Sequence, residues 1–243
     1  MKFVSRAVVF LSAISLLISV APIASQAQSK PTAKAIESAM LTALRAQSSI
    51  EMQFVSKQSN QAMTGVQWAS HTAALQSINY LGQVEHTMLI GKRLWVNDNS
   101  AGLQSMFNAT TAQANQWQNV WIEVPRSNSH YKFIVSGLKG ESLFAGFLPT
   151  GKVKVFGPKH LNGKTVYELV GKTSKRSGFA GYPLAVVVAS DSPYLPLGTL
   201  VTSTVAGQQF TSTLKVKGYN TKAPVTIAAP TSAVAYNLTG MAG

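Results

Sequence analysis

The chain has 243 residues, no cysteine, 21 Lys and Arg against 8 Asp and Glu, and 12% charged side chains for 46% apolar ones. The lack of cysteine excludes disulfides, thiolate metal sites, a cysteine nucleophile and a lipidated N-terminal cysteine. A formal charge of +13 favours anionic partners such as phosphorylated envelope lipids, acidic glycans or an anionic membrane surface, and no motif for reading nucleic acid accompanies it.

Lys2 and Arg6 precede an apolar run from Ala7 to Val20, and Ser25-Gln26-Ala27 places small side chains just before Gln28. This is the layout of a secretory signal peptide cleaved after residue 27, and the run is shorter than the ~20 residues a bilayer span requires. The expectation is an extracytoplasmic protein, periplasmic, envelope-associated or secreted, that is soluble after cleavage, with residues 28–243 forming a single domain. From Pro31 to Ser48, Ile36, Met40, Leu41 and Leu44 recur at helical spacing.

The period then changes to two: Ile50, Met52 and Phe54 alternate with polar residues, as do Val66 and Trp68, then Ile78 and Tyr80, then Val84, His86, Met88 and Ile90. Gly82, Gly91 and the Asn97–Ser100 cluster punctuate these runs, predicting antiparallel strands joined by short turns. Leu103, Met106, Phe107 and Thr110 predict one helical stripe over 101–116, residues 121–124 a short strand stopped by Pro125, and residues 130–148 more helix. Strand signals return at 152–156, 164–171, 183–189, 197–206, 208–218 and 225–228, with Asn162-Gly163 as a hairpin turn. The fold class is α+β: a large curved antiparallel sheet with an N-terminal helix and a mid-chain helical insertion.

Catalytic signals are weak. Gly146–Lys152 matches most of a phosphate-binding loop but has Val153 where a metal-binding hydroxyl is required, and the match is a coincidence. His71, His86, His130 and His160 show no ligand spacing, the carboxylates are sparse, and no serine sits in a Gly-x-Ser-x-Gly elbow. Neither an enzyme nor a cofactor is expected. Asn108-Ala-Thr110 and Asn237-Leu-Thr239 are glycosylation acceptors only in a eukaryotic host. The basic stretch from Lys152 to Arg176 reads as a solvated hairpin face or as a docking surface for anionic head groups, with Lys172, Lys175 and Arg176 as its contacts.

Aromatic and methionine side chains are more suggestive. Met52, Phe54, Val66, Trp68, Met88, Ile90 and Trp95 are expected on one inward sheet face, either as ordinary core or as the floor of an apolar cavity. Leu103, Met106 and Phe107, with Phe144, Phe147 and Leu148, would form its lid.

The order of elements, with "GKRLWVND" at 91–98, "VWIEVP" at 120–125 and the "HLNGKTVYELVGKT" hairpin at 160–173, resembles the LolA/LprG-like superfamily, and within it the LppX/LprG-type envelope lipid carriers. The resemblance covers nearly all of residues 31–230. It implies an unclosed β-barrel whose concave face, lidded by helices, holds acyl chains of a lipid or other amphiphile. Without the lipidated cysteine of that pattern, this chain would be a freely diffusing version. The resemblance equally allows an envelope sensor or adaptor that recognises a ligand or an unknown partner protein without transporting anything.

Overall fold

The computed structural model describes residues 30–58, 61–80, 82–174, 181–189, 193–205, 207–231 and 234–235; the expected signal peptide, Lys175, Arg176 and Asn237–Thr239 lie outside them. Residues up to Pro31 form a unit apart from Thr32–Gly243, and the second unit carries the fold.

Helix α1 (Ala33–Arg45) starts where the Thr32 side chain accepts from the Ala35 amide, and it buries Ile36, Met40, Ala43 and Leu44 along one stripe. A meander follows: β1 (Ser49–Gln58), β2 (Gln61–Ser70), β3 (Ala73–Tyr80), β4 (Gln83–Ile90) and β5 (Arg93–Asn97). The insertion comprises α2 (Ser100–Phe107), α3 (Thr111–Trp117), β6 (Ile122–Val124), α4 (Tyr131–Leu138) and α5 (Gly140–Gly146). A second meander closes the chain with β7 (Thr150–Leu161), β8 (Lys164–Lys172), β9 (Pro183–Ala189), β10 (Pro196–Val205) and β11 (Gln208–Tyr219), before the two-residue β12 (Val234–Ala235).

The twelve strands of the described residues lie in one curved, open sheet of order β12-β6-β5-β4-β3-β2-β1-β11-β10-β9-β8-β7, so the α+β class holds. Every pairing is antiparallel except β12 beside β6. The two meanders meet at a single seam, β1 on β11, where Ile50 pairs with Tyr219 and Phe54 with Leu214.

Three sequence expectations change. The stripe over 101–116 is two helices, because Asn108 ends α2 in a left-handed conformation (φ 52°) and Thr110 opens α3 with a reciprocal cap to Gln113. The helical stretch 130–148 breaks at Lys139, whose extended backbone divides α4 from α5. Residues 225–228 form no strand; the closing strand is Val234–Ala235. The Asn162-Gly163 turn is as expected, with φ of 50° and 75° linking β7 to β8.

Candidate functional site

Residues directly opposite in an antiparallel pair share a sheet face, and neighbours along a strand alternate. Outside the bulges, the register therefore assigns each paired strand residue to a face. One inner row runs Ile50, Ala69, Ala74, Leu89, Leu94, Val124; the next runs Met52, Gln67, Gln76, Thr87, Val96, Ile122. A third crosses the seam through Leu169, Val186, Thr199, Leu214, Phe54, Gly65, Ile78 and Glu85. These rows and the undersides of α1, α2, α4 and α5 make one apolar cluster.

The expected cavity residues divide between the two faces. Met52, Leu103, Phe107 and Phe144 are fully packed inside that cluster, while Met106, Phe147 and Leu148 pack against it half-buried. Phe54 is also inside and half-buried, its ring lying over Gly65, where any Cβ would meet the ring. Val66, Trp68, Met88, Ile90 and Trp95 point the other way, because Met52 pairs with Gln67 while Val66 pairs with Gln53, and Trp68 shares its row with Leu75, Met88 and Trp95. The floor expected from alternation alone is therefore corrected. On β2 the inward positions are Gly65, Gln67 and Ala69, which carry no large apolar side chain.

The outer row has its own cover. The Trp68 indole N–H donates to the Thr221 carbonyl (3.1 Å), as does the Ser49 hydroxyl (2.6 Å), so the segment after β11 begins over Trp68. It ends beside β6 as β12. Between those anchor points Trp95 is 1% exposed and Met88 is buried, and the Arg93 guanidinium, held by two bonds to Glu123, lies 4.8 Å over the Trp95 ring.

Polar groups on the inner face fasten the helices. The Gln67 amide nitrogen donates to the carbonyls of Gly137 (3.2 Å) and Leu138 (2.8 Å), and its oxygen accepts from Gln76 (2.7 Å). This satisfies carbonyls at the end of α4 that the helix itself leaves open. Burial raises the Glu85 carboxyl above the usual carboxylate range, with the Thr87 hydroxyl bond opposing and the nearby Asp98 charge adding. Burial likewise raises Asp98, against the Asn99 amide it accepts from and the nearby His86. Among the described residues, no three His, Asp or Glu side chains are grouped to hold a metal ion.

A cleft of about 210 Å³ opens between the end of α1, the start of α5 and the β2–β3 turn. Leu44, Ile50 and Ala69 floor it, and Arg45, His71, Lys139 and Glu141 rim it, with Arg45 and Glu141 paired at 2.7 Å. Sequence reasoning gave no sign of it, since its rim comes from three distant segments. Of the expected head-group residues, Lys172 is exposed on the outer face of β8, opposite Pro183.

The architecture is thus that of an open half-barrel of meandering strands roofed on one face by helices. No protein-family model matches the chain, and no curated protein is similar to it in sequence. Among solved structures it is similar to the lipoprotein LppX of Mycobacterium tuberculosis, at 13% identity and a TM-score of 0.49, over 81% of this chain and 98% of that one. It is also similar to MucB of Pseudomonas aeruginosa in complex with MucA, at 16% identity and 0.43, over 82% of this chain and 62% of that one. A conserved protein from Thermus thermophilus aligns at 13% and 0.42, over 84% of this chain and 99% of that one. These likenesses concern the fold alone.

Proposed function

We propose that this chain is an extracytoplasmic carrier that takes up a lipid or glycolipid between its helical roof and the inner sheet face and moves it between envelope surfaces. The observation that supports this most is the set of half-buried apolar side chains on the helices and on the inner sheet face. They are Met106, Ile134, Val135, Leu143, Phe147 and Leu148 on the helix side and Val153, Val155, Phe210 and Val216 on the sheet side, each packed half-buried against the core. Here they form a half-buried apolar margin, which is where acyl chains would enter beside the roof. Burying several hundred Å² of acyl chain at ~25 cal/mol/Å² contributes on the order of 10 kcal/mol before the costs of association. The polar bonds from Gln67 would hold the roof in place while the cargo enters beside it.

The test uses delipidated protein and a fluorescent phospholipid. Near-stoichiometric binding is expected, lost in Phe147→Asp on that margin and kept in Val66→Asp on the outer face. No binding of any envelope lipid overturns the proposal, as does equal loss in both variants. Binding without accelerated transfer between donor and acceptor vesicles would favour the sensor or adaptor reading.

A further inference from the structure

We propose that the outer face of β7–β11 and β1 is the surface with which the protein docks on an anionic lipid bilayer. It deepens the carrier reading by naming where the protein meets its membrane, and it can fail separately, because docking needs no cargo.

The argument starts from alternation along β7. Val153 and Val155 pack inward, so Lys152, Lys154 and Phe156 share the outer side. Lys154 begins an outer row that runs through Val170, Ala185 and Leu200 to Thr213 and Val55. Phe156 begins the next, which runs through Glu168, Val187 and Gly198 to Lys215 and Gln53. Lys172 ends β8 on the same side. Six adjacent strands at ~4.8 Å spacing make this surface about 24 Å wide.

Its chemistry is mixed in one particular way. Leu200 is 43% exposed and Phe156 41%, while Lys152, Lys154, Lys172 and Lys215 are exposed. None of these four lysines makes an ion pair among the described residues. The acid of these rows, Glu168, is already answered by Lys159 at 3.3 Å. Unpaired cations alone would suit any anion. Cations interleaved with exposed Phe and Leu suit a surface that offers anionic head groups over an apolar layer, since Lys stems and aliphatic side chains then share the interface. The strands of the other half, β2–β6, contain no lysine, their Arg93 is already paired with Glu123, and the chain's own C-terminal segment is anchored at both ends of the Trp68–Trp95 row.

The experiment is co-sedimentation of the whole protein with vesicles of phosphatidylcholine, with and without 30% phosphatidylglycerol, at rising salt. Binding is expected only to the anionic vesicles, and salt should weaken it. At about fivefold per lysine, Lys154→Gln with Lys215→Gln should weaken binding about 25-fold. Phe156→Ser with Leu200→Ser should weaken it at every salt concentration, with thermal melting unchanged. The margin variant Phe147→Asp should dock normally. Equal binding to neutral vesicles overturns the proposal, as does undiminished binding of the lysine variant. Binding to soluble dextran sulfate without binding to vesicles would assign the face to an anionic polymer and also overturn it.

Discussion

The two halves of the outer sheet face solve the same problem differently. Over β2–β6, the exposed side of the sheet carries Trp68, Met88 and Trp95, and the segment after β11 is anchored at both ends of that row. Over β7–β11 the outer positions Val166 and Ala189 are buried, and the remaining outer rows carry lysines, threonines and isolated apolar side chains. An exposed sheet face of natural proteins must either be covered or made polar. This chain does one on each side, and the contrast says which outer residues hold the fold and which are free to meet something else.

The sharpest way to break that contrast is to delete residues 221–243. Uncovering about 150–200 Å² of Trp and Met surface at ~25 cal/mol/Å² should cost about 4–5 kcal/mol, read by urea denaturation. An unchanged midpoint would mean the segment is an ornament and the covered half needs no cover. Single substitutions sharpen the same point: Trp95→Ala should cost about 3–5 kcal/mol, whereas Leu200→Ala on the other half should stay within about 1 kcal/mol.

Opposite faces of one strand give the next comparison. Gln67→Ala leaves the α4 carbonyls and the Gln76 amide without their partner and should cost about 2–3 kcal/mol, while its outward neighbour Val66→Ser should change stability by less than about 0.5 kcal/mol. Hydrogen exchange should show α4 opening first in the Gln67 variant.

The smallest effect concerns pH. The folded pKa of Glu85 is raised by burial above its unfolded value, so the native state holds the proton more tightly than the unfolded chain does. Native stability therefore declines as pH rises from about 4.5 through that raised pKa. Glu85→Gln should melt higher than the parent at pH 7.5, with the advantage shrinking toward zero at pH 4. An equal gain at both pH values would remove the charge from the explanation.

Much of the fold was legible because each strand of the two meanders is short, alternating and bounded by turn residues; Asn162-Gly163 is a case where the local chemistry decides the turn. The interior was not legible, and β2 shows why. Alternation says that Val66 and Trp68 share a face but not which face is covered, and here the inward positions hold Gly65, Gln67 and Ala69. A glutamine inside is readable only once the α4 carbonyls it serves are in place. In β4 and β5, Thr87, Met88 and Leu89, then Leu94, Trp95 and Val96, are buried consecutively, so a strand covered on both sides loses the period that would orient it. The helical insertion was readable in composition, but its division at Asn108 rests on one left-handed residue that periodicity does not report.

The seam between the two meanders has a consequence for how the chain folds. Within each meander strands pair with their neighbours in sequence, so their loops are short and close cheaply. At the seam, Ser56 and Ser212 share a hydrogen bond at 2.8 Å across 156 residues of chain. Closing so long a loop costs entropy that no local contact repays. The two halves should therefore assemble early and the β1–β11 joint late. Changes there, such as Leu214→Ala, would speed unfolding and leave refolding almost untouched. The joint that makes twelve strands one sheet is then the place where the molecule comes apart first.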